Sequence, residues 1–143
     1  MNEFQEVIQK LILLFQELTS IESKMLDAAK GEHIAVLESH MLKEQAAIMQ
    51  LRGLEREKDR VQAELGYDGL SFHEILEKLS EEERTHFLPL FDGLSREIQM
   101  FQEVHEDLTL IMEVNLRNLN KKLNNTESQV YPGNRTDSKG LII

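Results

Sequence analysis

The sequence predicts an all-α protein, built as an elongated antiparallel bundle of three long helices and one short helix. Apolar residues recur in steps of three and four over long segments, which is the spacing of a helical seam. Good helix formers dominate, and only 2 of the 143 residues are proline. Glycines mark breaks at Gly31 and at Gly66 and Gly69. They separate segments of roughly 30 residues, each ~45 Å long if helical.

The first predicted helix carries an unbroken heptad seam, in which every position is apolar. Its members are Phe4, Val7, Leu11, Leu14, Leu18, Ile21, Met25 and Ala28. A second set widens this face: Ile8, Ile12, Phe15, Leu26 and Ala29. An apolar face of that width predicts contact with two neighbouring helices. Gly31, which follows Lys30, is the expected left-handed residue of a tight turn. A kink within one continuous helix is the alternative.

The second predicted helix runs from about Glu32 to Glu64 and is followed by a glycine-containing loop. Its apolar seam consists of Ile34, Leu37, Met41, Ile48, Leu51 and Leu54. Ser71 and Glu74 then form a capping-box pattern, which predicts the start of a short helix. The apolar face of this short helix consists of Phe72, Ile75, Leu76 and Leu79.

The last predicted helix starts after Ser80, has Pro89 near its beginning and carries two polar residues on its seam. The seam is Leu94, Ile98, Phe101, His105, Leu108, Met112, Asn115 and Leu119. His105 has three interpretations: a hydrogen-bonded histidine of the bundle, a residue that sets register, or a pH sensor. Beyond the helix the periodicity stops. We therefore expect a helical domain over 1–124 and a flexible tail over 125–143.

Composition and charge exclude several classes of function. The formal net charge of -10 argues against binding to nucleic acid or to an anionic membrane surface. The chain has no cysteine, so it offers no disulfide and no zinc–sulfur site. The apolar run LILLF is too short to span a bilayer, and we expect no signal sequence after Met1. We expect a cytoplasmic protein.

Two patterns in the sequence resemble sites of chemistry. A ferritin-like di-metal site needs two Glu-x-x-His pairs, and only Glu83 with His86 supplies one. The segment HMLKEQ is similar to the histidine-phosphotransfer motif at His40, Leu42 and Lys43. Glu44 stands where that motif has a glycine that lets a partner approach. No nucleophile elbow or phosphate-binding glycine loop is present. The sequence therefore predicts neither an enzyme nor a cofactor.

An interaction protein is the better expectation, and the end of the last helix is the candidate surface. Its apolar residues are Leu108, Ile111, Met112, Leu116, Leu119 and Leu123, with Asn115 as a group that could set register. An exposed face of this kind binds another amphipathic helix. The alternative is that the bundle itself covers this face. A general coiled-coil adaptor that forms a homo-oligomer is a competing hypothesis, as is phosphotransfer through His40.

Up to about Tyr131 the chain resembles the FlgN-type flagellar export chaperones. HMLKEQAAIMQLRGLEREKDRVQAELGY is similar to the middle block of that family, with Lys43, Arg60, Leu65 and Gly66 at the matching positions. LSFHEILEKL is similar to the short helix that follows it. MEVNLRNL resembles the family's Asn-x-x-Asn segment, with Asn115 as the second asparagine and Met112 in place of the first.

The resemblance implies a cytoplasmic chaperone of type III export. Such a protein binds the C-terminal helices of hook-associated proteins, which form the hook–filament junction, and keeps them unassembled. It then delivers them to a component of the export gate. The substrate-binding part would be the last helix, roughly Leu108 to Leu123. Tyr131 is the candidate residue for docking on the gate.

Overall fold

The computed structural model describes residues 1–126, with side chains up to Asn124. Four helices follow one another along the chain: α1 (Asn2–Lys30), α2 (Ile34–Glu64), α3 (Phe72–Lys78) and α4 (Glu81–Thr126). The prediction of an all-α fold with three long helices and one short helix is confirmed. The predicted boundary at 124 falls just inside α4, which includes Asn125 and Thr126. The rest of the predicted tail lies outside the described residues.

The central element is α1, which packs against both α2 and α4. All eight residues of its predicted seam are buried, and so are Ile8, Phe15 and Ala29 on the flank. Over the described residues, the Cα atoms of α2 and α4 never come within 8 Å of each other. The prediction that α1 touches two neighbours is therefore confirmed, and α1 holds the other two long helices together.

Contacts between side chains fix the direction of each helix. Arg60, near the end of α2, pairs with Glu3 at the start of α1 at 2.9 Å, so α2 runs antiparallel to α1. The α4 helix instead runs parallel to α1. Phe87 stacks on Phe4 near the start of both helices, and Asn115 bonds to the Ala29 carbonyl near the end of α1. Consecutive long helices are thus antiparallel, in an up-down-up order.

An aromatic cluster closes the end of the bundle where α1 begins. Phe72 of α3 stacks on Phe91 of α4 with ring centroids 4.3 Å apart. The ring centroids of Phe4 and Phe91 are 5.9 Å apart. The capping box of α3 is present as predicted: Glu74 N donates to Ser71 Oγ at 3.1 Å and Ser71 N donates to Glu74 Oε1 at 3.2 Å. This end of the molecule is well packed and capped.

The turn between α1 and α2 is tight, as predicted, but the left-handed residue is different. Gly31 has φ -86°, whereas Glu32 has φ 58°. His33 N donates to the Ala28 carbonyl at 2.9 Å and Glu32 N to the Ala29 carbonyl at 3.4 Å. This is the hydrogen-bond pattern of a Schellman motif. Gly31 is the C-cap residue of α1, because the helix extends through Lys30. The residue with positive φ is therefore the next one, Glu32.

Two smaller expectations also differ from the structure. Ile34 is exposed, because it is the first residue of α2 and lies beyond the packed face of α1. The α4 helix starts after Ser80, as predicted, but Pro89 near its start lies past the first turn, where proline costs a hydrogen bond. Pro89 has no backbone N–H, so α4 lacks one hydrogen bond there.

We expect Glu32→Gly to raise the free energy of unfolding by about 0.5–1 kcal/mol, because a left-handed conformation is unfavourable for a residue with a Cβ. Urea denaturation measures this change. Glu32→Ala is the matched control, since it removes the same charge but keeps the Cβ. Equal stabilisation by both variants would assign the effect to the charge and would contradict the backbone explanation.

Candidate partner-binding surface

The end of α4 extends past the helix against which it packs. Asn115 Nδ2 donates to the Ala29 carbonyl at 3.1 Å. The α1 helix ends at Lys30, whereas α4 continues in the same direction to Thr126. At ~1.5 Å per residue, the last 11 residues of α4 extend roughly 15 Å beyond this contact. Every described side chain from Arg117 to Asn124 is exposed.

An apolar stripe runs from the bundle onto this projecting end. Its members step by four, three and four residues: Met112, Leu116, Leu119 and Leu123. Met112 and Leu116 are half-buried. Leu119 and Leu123 are 53% and 43% exposed. The stripe therefore continues the bundle's own seam into solvent, where a helix from another protein could pack against it.

The structure places the other predicted binding residues inside or against the bundle. Leu108 is buried in the core, so it is not part of the open surface. Ile111 is half-buried and packs against the core. The Asn115 amide already bonds to α1, so this residue fixes the position of α4 on α1. Met112 also packs against the core, so of the predicted set the open surface contains Leu116, Leu119 and Leu123. Tyr131 lies outside the described residues.

The projecting end is basic, although the chain as a whole is acidic. Arg117, Lys121 and Lys122 lie on it, and residues 114–124 contain no Asp or Glu. The whole chain has a formal net charge of -10. An apolar stripe on a basic helix end is complementary to an amphipathic helix that carries acidic residues.

A buried polar cluster lies on the bundle side of this surface. Glu22 of α1 is fully buried and Glu44 of α2 is buried. His105 of α4 contacts Glu22 Oε1 through Nδ1 at 2.8 Å. A carboxylate oxygen only accepts, so His105 Nδ1 carries the proton and donates. The interpretation of His105 as a hydrogen-bonded histidine of the bundle is confirmed. The cluster joins all three long helices at one level.

Burial controls the protonation of the two glutamates. Burial, together with the nearby Glu22, raises the pKa of Glu44 to about 8. Burial also raises the pKa of Glu22. Glu22 Oε2 is buried with no donor from a nitrogen or hydroxyl group. The Glu44 carboxyl can supply that donor when protonated, which is its favoured form at neutral pH.

Sequence reasoning missed Glu22 and Glu44, although the heptad pattern contains a signal for both. Glu22 follows Ile8 and Phe15 at a spacing of seven, and Ala29 continues the series. Glu44 fills the gap between Met41 and Ile48 in the seam of α2. A glutamate at a position that the repeat assigns to an apolar residue predicts a buried carboxyl group.

The other candidate sites have structural roles or remain isolated. Glu83 caps the start of α4 through Ser80, and His86 bonds to Gln5 at 2.7 Å. His40 is half-buried, and its Nδ1 is buried without a hydrogen-bond partner. Among the described residues, no three His, Asp or Glu side chains are grouped so that they could hold a metal ion. None of the described helices has a stretch apolar enough to cross a bilayer.

Comparison of the chain with family models, with curated proteins and with solved structures finds no match. The geometry of α4 and the chemistry of its projecting end are therefore the basis for a proposal about function.

The pKa of Glu44 predicts that the protein loses stability as pH rises. Folding raises this pKa from 4.5 to about 8. The folded chain therefore binds more protons than the unfolded chain between these values, and the free energy of unfolding falls as pH rises through them. Each unit by which folding raises the pKa corresponds to about 1.4 kcal/mol in the free energy of unfolding. We expect Glu44→Gln, which can still donate to Glu22, to flatten this dependence.

Urea denaturation between pH 5 and pH 9 measures the effect. Glu55→Gln is the matched control, because Glu55 is an exposed glutamate on the same helix. A wild-type stability that rises across this range, or a Glu44→Gln slope equal to that of wild type, would contradict the assignment.

Proposed function

We propose that this protein is a cytoplasmic export chaperone for flagellar hook-associated proteins. The projecting end of α4 binds a C-terminal helix of the substrate and keeps it from assembling. The protein then delivers the substrate to the type III export gate. The single observation that carries this proposal is the apolar stripe that leaves the bundle at Leu116 and reaches the exposed Leu119 and Leu123. The resemblance to FlgN-type chaperones supports the choice of substrate.

The physical chemistry of filament proteins suits this surface. Their terminal helices pair with other helices during assembly, so an unassembled subunit has an apolar seam that is free to bind. A chaperone helix with a 4-3-4 stripe can cover such a seam temporarily. The stripe is short, because only Leu119 and Leu123 are open beyond the half-buried Leu116. A short apolar contact suits reversible binding, with a Kd of roughly micromolar to nanomolar.

The basic charge of the projecting end narrows the choice of partner helix. Lys122 lies beside the stripe, whereas Arg117 and Lys121 lie towards the other side of the helix. A substrate helix with acidic residues beside its apolar seam would be attracted, and a basic helix would be repelled. Binding should therefore weaken as ionic strength increases, since exposed charges are screened at separations of ~10 Å in 0.1 M salt.

We expect Leu119→Asp to lower affinity for a hook–filament junction protein by at least about tenfold, because binding would bury an unpaired carboxylate. Isothermal titration calorimetry with the purified junction protein measures the loss. Leu110→Asp is the matched control: Leu110 is a 58% exposed leucine of α4 outside the stripe. Both variants should retain the wild-type unfolding midpoint. Equal loss of binding in both, or no loss in Leu119→Asp, would contradict the proposed surface.

Hydrogen exchange tests the same surface without a mutation. Amides of residues 116–124 should exchange fast in the free chain, because no neighbouring helix covers them, and should become protected when the junction protein is added. Strong protection in the free chain that does not change on mixing would mean that this end is already covered.

A further inference from the structure

The outer face of α2 carries a second apolar seam that nothing in the described chain covers. Leu42 and Met49 are 69% and 71% exposed, the most exposed large apolar side chains of the described chain. They belong to a run in steps of four and three residues: Ala35, Ser39, Leu42, Ala46, Met49 and Gly53. The buried residues Glu44, Ala47 and Leu51 lie on the opposite side of the helix. The spacing of this outer seam is that of a coiled coil.

No contact within the described chain explains why residue 53 is a glycine. It lies in the interior of α2, where glycine weakens a helix. A Cβ atom built at Gly53 would meet nothing within 4 Å, so no neighbouring group of the bundle requires the missing side chain. Gly53 instead borders an open groove that it shares with Leu13, an exposed leucine of α1. A glycine at such a place allows close approach by a group from outside the chain.

We propose that two copies of the chain associate through the outer seam of α2, as an antiparallel helix pair. In this arrangement Leu42 of each copy lies over Gly53 of the other, and Met49 lies against Ala46. Each layer then joins a large side chain to a small one, which gives even packing. A parallel pair would set Leu42 against Leu42 and Gly53 against Gly53, and would leave gaps at the glycines.

Charge supports a second copy as the occupant. Residues 35–60 contain five acidic and five basic side chains, so this stretch has no net formal charge, whereas the whole chain carries -10. Self-association along α2 therefore avoids most of the repulsion between two acidic chains. The antiparallel register also brings Glu38 of each copy beside Arg56 of the other. Neither residue forms an ion pair with the part of the chain that the structure describes.

Sedimentation equilibrium of the full chain tests the association. We expect a dimer at roughly 100 µM protein. Leu42→Glu should raise the dissociation constant at least about tenfold, because it would bury an unpaired charge. Leu110→Glu, at an exposed leucine of α4, is the matched control and should leave association unchanged. A chain that stays monomeric, or a dimer that Leu42→Glu does not weaken, would overturn the proposal.

Gly53→Leu separates this surface from the stability of the fold. A Cβ at this position meets nothing within 4 Å in the single chain and leucine favours the helix more than glycine, so thermal stability should not fall. In the antiparallel pair the same space holds Leu42 of the other copy, so association should weaken. A variant that associates as wild type does would overturn the proposed register.

Charge reversal and cross-linking test the orientation. Glu38→Arg and Arg56→Glu should each weaken association, and the double variant should restore it. A double variant that associates as weakly as the single variants would overturn the ion pair.

The chain has no cysteine, so a single introduced cysteine is the only thiol that a cross-linker can modify. A short bismaleimide should link Ala46→Cys, whose two copies lie near the centre, but not Ala35→Cys, whose copies are ~37 Å apart. Linking of Ala35→Cys would show a parallel pair.

Discussion

The burial of one wide face of α1 is the constraint on which the rest of the structure depends. The α2 and α4 helices each pack on α1, and in the described chain their Cα atoms do not come within 8 Å of each other. The apolar residues of α1 therefore supply both interfaces. Fully burying a Leu, Ile or Phe side chain contributes about 1.5–3 kcal/mol, and α1 buries such residues from Phe4 to Ile21 along this face. A loss in α1 would weaken two interfaces at once, whereas a loss in α2 or α4 would weaken one.

The polar cluster of Glu22, Glu44 and His105 determines the register of the helices that pack on α1. It places an acid, a second acid and a histidine on three different helices at one level, so the three helices satisfy each other's polar groups only in one register. Two adjacent buried carboxyl groups favour sharing a proton over carrying two charges. The cluster thus specifies how α2 and α4 sit along α1, at the cost of desolvating polar groups in the core.

The two ends of the bundle differ because the helices differ in length. At one end, α3 and a set of phenylalanines close the core, with Phe72 stacked on Phe91. At the other end, α1 stops at Lys30 while α4 continues to Thr126. The seam of α4 therefore loses its covering helix. The outer seam of α2 lies on a different side of the molecule, opposite the face that packs on α1.

Sequence periodicity by itself determined the helices, their breaks and the core of α1. Apolar spacing of three and four reflects the turn of the helix, which is local, so all eight residues of the α1 seam were identified and are buried. The capping box at Ser71 and Glu74 could also be predicted from the sequence, because its hydrogen bonds join residues only three apart. The stripe that includes Leu119 and Leu123 was also visible as a pattern.

Tertiary structure decided what depends on the position of one helix along another. Leu108 and Leu119 both lie on the seam of α4 in the sequence, yet Leu108 is core and Leu119 is exposed, because α1 ends opposite Asn115. The meeting of Glu22, Glu44 and His105 likewise requires the register of three helices. The positive φ at Glu32 rather than Gly31 depends on where α1 ends. Periodicity gives the face of each helix, but the axial offset between helices arises only when their side chains pack together.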